Sequence, residues 1–85
     1  NEKPLVEVTE PEDGKTYSGE RKIKVTGKTE AGARVFVNNT QAIVLSDGSF
    51  NSILSLSDGE NILTIKSEDL ATNIEEITRK VTFQP

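Results

Sequence analysis

The stretch Asp47-Gly48-Ser49-Phe50-Asn51-Ser52-Ile53-Leu54-Ser55-Leu56-Ser57-Asp58-Gly59-Glu60-Asn61-Ile62-Leu63-Thr64-Ile65-Lys66-Ser67 decides the fold. Phe50, Ser52, Leu54 and Leu56 keep a period of two from one Asp-Gly pair to the next. Leu63, Ile65 and Ser67 resume it after Asn61. A period of two puts alternate side chains on one face of a pleated strand, so both runs read as core strands. Asp tolerates and Gly readily adopts the positive φ of tight turns, so Asp47-Gly48 and Asp58-Gly59 punctuate them.

Working outward, the same grammar holds. Val6 and Val8 alternate with Glu7, and a third Asp-Gly pair, Asp13-Gly14, follows Pro11, so the chain must turn or cross there. Ile23 and Val25 alternate with lysines before Gly27. Ala33, Val35 and Val37 point one way, and Asn38-Asn39 suits a two-residue hairpin that sets Val37 opposite Thr40. Thr40, Ala42 and Val44 should then share the Val35 face. The last run offers Ile77, Arg79, Val81 and Phe83 on one face, with Arg79 expected near an end where its head reaches water. Val, Ile and Thr supply 23 of 85 residues, a β-branched excess that suits strands, and no helical apolar spacing is sustained for three turns. The expectation is an all-β, Ig-like antiparallel β-sandwich of seven or eight strands. Its core should include Val25, Val35, Phe50, Leu54, Leu56, Leu63, Ile65 and Val81.

Length allows one domain, residues 1–85, with its core over about 5–83. The chain opens at Asn1 and has no methionine, so it reads as a segment of a longer protein. With no cysteine and no histidine, disulfides, thiolate sites and the commonest general base and metal ligand are missing. A net charge of −4 disfavours nucleic acid and anionic lipid, and no apolar run is long enough to span a membrane. No catalytic, cofactor or metal residue is assigned. Asp58, Glu60, Asp69 and Asn73 could gather around calcium only if two loops met, and no Asp-x-Asp-x-Asp spacing supports that. The final strand has no Asn to form an isopeptide bond with a lysine, and the sequon Asn38-Asn39-Thr40 is read as a turn.

Gly27, Ala31-Gly32-Ala33, Val35, Val37, Asn38, Asp47-Gly48-Ser49-Phe50, Leu56, Gly59, Asn61, Leu63, Ile65, Asp69 and Asn73 follow one order and spacing. That order resembles the bacterial Ig-like domains called glucodextranase B-like, found in surface proteins and beside extracellular glycosidases. The resemblance implies an extracytoplasmic setting, at the cell surface, secreted or periplasmic, and covers about Val6 to Phe83. One departure is Thr72, where the family usually has Gly before the Asn.

Structural turn and loop roles are expected for Asn38, Asn39, Asp47, Gly48, Asp58, Gly59, Asn61, Asp69 and Asn73. Asn61 should hold the preceding loop, and Asp69 and Asn73 should form Asx-type bonds. If Val35, Val37, Ala42 and Val44 face inward, Phe36, Ile43 and Leu45 face outward, and Ile62 does so on a strand expected in the same sheet. These four form the candidate interaction face. The reading is a non-enzymatic spacer or protein-interaction module, with chain ends at opposite poles, whose partners are neighbouring domains of its own chain or another protein. The alternatives are a carbohydrate-binding accessory module, with glycan as partner, or the periplasmic C-terminal domain of a single-pass membrane protein. Sugar platforms usually need exposed aromatic rings, and the chain has no Trp and only Tyr17 beside three Phe.

Overall fold

A computed structural model describes residues 4–85, so residues 1–3 of the expected domain lie outside the described residues. Among the described residues nine strands form two sheets: β1 (Val6–Glu10), β2 (Thr16–Ser18), β3 (Lys22–Thr29), β4 (Arg34–Val37), β5 (Thr40–Gln41), β6 (Ile43–Val44), β7 (Ser49–Ser55), β8 (Gly59–Glu68) and β9 (Ile74–Gln84). One sheet has the order β1-β3-β7-β6 and the other β2-β9-β8-β4-β5. The expected sandwich is present, with more strands than seven or eight because the chain divides between the sheets twice, once after β1 into the strand Thr16–Ser18, which alternation does not signal, and once within the run Thr40 to Val44.

The first division follows β1. Pro11 has no amide hydrogen to continue the ladder, and the chain leaves β3 for the opposite sheet. Asp13 Oδ1 accepts the Lys80 amide at 2.6 Å, and Gly14 donates to the Lys80 carbonyl at 2.6 Å. These bonds hold the crossing against β9, and β2 then runs parallel to β9, with Tyr17 opposite Phe83. The sheets are therefore not wholly antiparallel as expected. The second division falls at Ala42. Its amide donates to the Val35 carbonyl at 2.8 Å, after which the chain passes from β5 in one sheet to β6 in the other.

Between the sheets lies one apolar cluster containing Val25, Val35, Val37, Phe50, Leu63, Ile65, Val81 and Phe83. Leu54 is a correction: it packs against this cluster only half-buried, because β6 has already ended beside it. Thr40 is exposed at the hairpin tip, although it pairs with Val37 in the expected register. Arg79 is not at an end either. It lies mid-strand with its guanidinium under β1, where Nη2 donates to the Val8 carbonyl at 3.2 Å and Nε is buried without a partner.

The body is elongated, 42 × 22 × 18 Å. Val6 pairs with Thr29 at one pole and Phe83 with Gly59 at the other, so the chain enters and leaves at opposite ends of the long axis. At the pole where Thr29 bonds the Leu5 carbonyl and the Ser67 hydroxyl, the turn between β8 and β9 is closed by hydrogen bonds to Asp69 and presents Leu70, which is 87% exposed.

Candidate functional site

The four apolar residues expected on one face divide between two. Phe36 on β4 and Ile62 on β8 point outward from the five-stranded sheet, whereas Ile43 on β6 and Leu45 just after it belong to the four-stranded sheet. The crossing at Ala42 is the physical reason: a strand that changes sheets carries its outward residues to the opposite outer surface. Phe36 is only half-buried, and the Lys66 ammonium sits 5.5 Å from its ring centroid. Ile62 stands apart, opposite Lys80 on β9.

Ile43 and Leu45 have a companion that the sequence reading passed over. Ile53 on β7 faces outward on the same sheet, and the three are 64%, 51% and 63% exposed. In the β6–β7 register Ile43 opposes Asn51, and the Leu45 amide donates to the Ser49 carbonyl at 2.8 Å. Ile53 is therefore one step beyond Ile43 along the sheet edge, and the three side chains form a stripe. The signal was available, since an inward run through Phe50, Ser52 and Leu54 requires Ile53 to point outward.

The stripe borders an open strand edge. Opposite β7, β6 reaches only as far as Ile43, so no described strand pairs with Ile53 or Ser55 on that side. An unpaired edge is a template for another strand, and proteins usually blunt it with charge, proline or a bulge. Two other free edges carry such devices. On the far side of the sheet, β3 is left unpaired near Lys22 and Lys24, with Glu20 Oε1 accepting the Lys22 amide at 3.3 Å. That edge borders a cleft of about 330 Å³ against Tyr17, whose ring has the Lys15 ammonium 4.9 Å from its centroid. β1 ends in an irregular register between Val8 and Glu10.

The turn residues form local hydrogen-bonded units. Asn38 and Asn39 take φ of 48° and 74° between β4 and β5, and Asn38 Oδ1 accepts the Thr64 amide at 2.8 Å. Asn61 accepts the Ser57 amide at 2.9 Å and donates to the carbonyls of Ser57 and Gly59. Asp47 Oδ1 accepts the Ser49 amide at 2.9 Å, which with the Ser49 hydroxyl holds its carboxyl below the usual range. Gly48, at φ 90°, packs so closely that a Cβ there would overlap the Thr29 carbonyl.

Asp69 accepts the amides of Ala71 and Asn73 on Oδ1 and the Asn73 side chain on Oδ2. Desolvation pushes its pKa up, and these bonds together outweigh that and hold it low. Asp58 pairs with Arg21 at 2.6 Å and Glu60 with Lys80 at 3.7 Å, both at the pole opposite Asp69 and Asn73, so the four residues considered for calcium do not gather. Among the described residues no three His, Cys, Asp or Glu side chains cluster as metal ligands, and no helix is long and apolar enough to cross a membrane. Beside Phe36 there is a shallow hollow of about 100 Å³ with Asn38, Asn39, Thr64, Lys66 and Glu76 on its walls.

Comparison with known proteins adds a family to this geometry. Residues 4–84 match the family model described as glucodextranase, domain B. No curated protein matches the chain. Among solved structures, the fibronectin(III)-like modules of Clostridium thermocellum CbhA superpose with a TM-score of 0.69 at 15% identity, over 96% of this chain and 47% of that one. A Bacteroides fragilis protein described as a β-galactosidase superposes with a TM-score of 0.58 at 22% identity, over 99% of this chain and 13% of that one. At such identities the likeness is one of fold. The chain spans about half the length of the first of these structures and a small part of the second.

Proposed function

The chain belongs to the glucodextranase domain B family, and from that premise we propose that it is a non-catalytic Ig-like module of a bacterial extracytoplasmic protein, acting as a spacer and a surface for protein contacts. One observation carries this reading: the chain enters and leaves at opposite poles of a body 42 Å long. A sandwich built this way lengthens the protein that contains it and keeps its neighbours apart, because its stiffness comes from sheet hydrogen bonding and one packed core. The similar solved structures, of which this chain spans less than half, fit a part within a larger protein.

Contacts would come from two places. Leu70, on its braced turn at the pole where the chain enters, is offered to a neighbouring domain, and the Ile43, Leu45 and Ile53 stripe faces sideways. Glycan binding has weaker support, since Phe36 is half-buried beneath Lys66 and the neighbouring hollow is small for a sugar.

The test is made in the parent protein. Residues 4–85 are replaced by a Gly/Ser linker or by an unrelated sandwich of equal length. A spacer predicts that the linker impairs the parent's activity or surface display and that the foreign sandwich restores it. Full function with the linker would refute the spacer role, and failure of the foreign sandwich to restore function would shift the weight to specific contacts.

A further inference from the structure

We propose that the open edge of β7 at Ile53 and Ser55 pairs with the same edge of a second copy of this chain, joining two four-stranded sheets across a two-fold axis. This pairing is independent of the spacer role.

Backbone direction is the first support. The Leu45 amide bonds to the Ser49 carbonyl, so Ser49 turns its amide and carbonyl toward the β6 side, and in an antiparallel ladder every second residue does the same. Ile53 and Ser55 therefore point their amides and carbonyls sideways into the space where β6 has ended. With a two-fold axis near Leu54, Ile53 of one copy meets Ser55 of the other and the reverse, which closes about four hydrogen bonds. The two Ile53 side chains become diagonal neighbours on the outer surface, within reach of each other.

Charge is the second support, and it selects a second copy as the occupant. From Ser49 to Ser57 no residue is charged, so two copies of this edge approach without repulsion. At the open edge of β3, self-pairing would bring Lys22 and Lys24 against their own copies. The open end of β7, from Ile53 to Ser55, carries no charge, proline or glycine that would oppose such pairing.

Such a contact is small beside stable protein interfaces, so it is weak between free modules. It gains strength where copies are held at high local concentration, as on a crowded surface.

The experiment is sedimentation equilibrium of the 85-residue chain up to about 1 mM, the affinity range of a weak contact, with amide chemical shifts followed over the same concentrations. The expected result is a monomer–dimer equilibrium with shifts confined to residues 51–55 and their neighbours. Ile53→Lys should weaken it by at least about tenfold, since charge on an edge opposes pairing, with an unchanged amide spectrum elsewhere. Ser55→Pro, which removes one edge donor, should act in the same direction, and Ile62→Lys on the other sheet should have no effect. A chain that stays monomeric, a dimer that survives Ile53→Lys, or equal loss in Ile62→Lys would overturn the proposal.

Discussion

The hydroxyls of Thr29 and Ser67 lie 2.7 Å apart in the closed space between the sheets, the one polar bridge linking the end of β3 to the end of β8 among the described residues. Thr29 Oγ1 also donates to the Leu5 carbonyl at 2.7 Å, so Ser67 donates to Thr29 and the chain reads Ser67 to Thr29 to Leu5. Removing either end is not equivalent. Ser67→Ala leaves Thr29 still donating and should cost about 1 kcal/mol. Thr29→Val strands the fully buried Ser67 hydroxyl and frees the Leu5 carbonyl, at about 2 to 3 kcal/mol. Urea denaturation of the two variants checks the order, and equal losses would contradict it.

Gly27 is where β1, β3 and the Phe50 ring meet. A Cβ at that position would overlap the Glu7 carbonyl and come within 2.5 Å of the ring. Gly27→Ala should therefore destabilise by about 3 kcal/mol, the upper part of the overpacking range. The same change at Gly19, where nothing lies within 4 Å of the added carbon, meets only backbone strain from its φ of 85°. Thermal unfolding that finds Gly27→Ala as stable as the parent would mean the close approach is wrong.

Thr72 adopts φ 65°, a left-handed conformation costly for a β-branched residue. The turn keeps the shape that a Gly would allow, and the Asp69 bonds hold it there. Thr72→Gly should raise stability by about 1 kcal/mol, with strain relief partly offset by the freedom Gly gains when unfolded. A lower melting temperature for this variant would contradict the strain.

Asp69 has its pKa lowered in the folded chain, so its contribution to stability is present above the unfolded value, about 3.9, and is lost as pH falls through the lower folded value. The turn should be unchanged from neutral pH down to about 4 and loosen below it. Carbon-detected titration of the Asp69 carboxyl, with amide exchange at Asn73, reads both. Asp69→Asn should abolish the acid transition there, and an ordinary or raised Asp69 pKa would contradict the bonding.

Much of the fold was legible because period two reports which residues face inward. The Phe50 and Leu63 runs were readable directly, and so was the register of Val37 against Thr40. Which sheet a strand joins was not, since the outer surfaces of two sheets look alike to an alternation. A turn or crossing between Glu10 and Gly14 is legible from Pro11 and Asp13-Gly14, but the crossing at Ala42 is not, nor are the parallel β2–β9 pair and the separation of Phe36 from Ile43. Leu54 was read as core because alternation carries no information about where a neighbouring strand stops. A lone guanidinium facing inward reads as lying near water, because burying a charge without a partner is costly. The Val8 carbonyl, left facing it where β1 peels away, was invisible in the sequence.

The central claim is that two sheets form one stiff body with its chain ends held at opposite poles. With no native cysteine, the double variant Leu5→Cys, Gln84→Cys can carry a spin label at each end without competing sites. Electron–electron distance measurement on this variant should give a single narrow distribution comparable with the 42 Å long axis. A broad distribution, or one in which the two ends lie close together, would contradict the account.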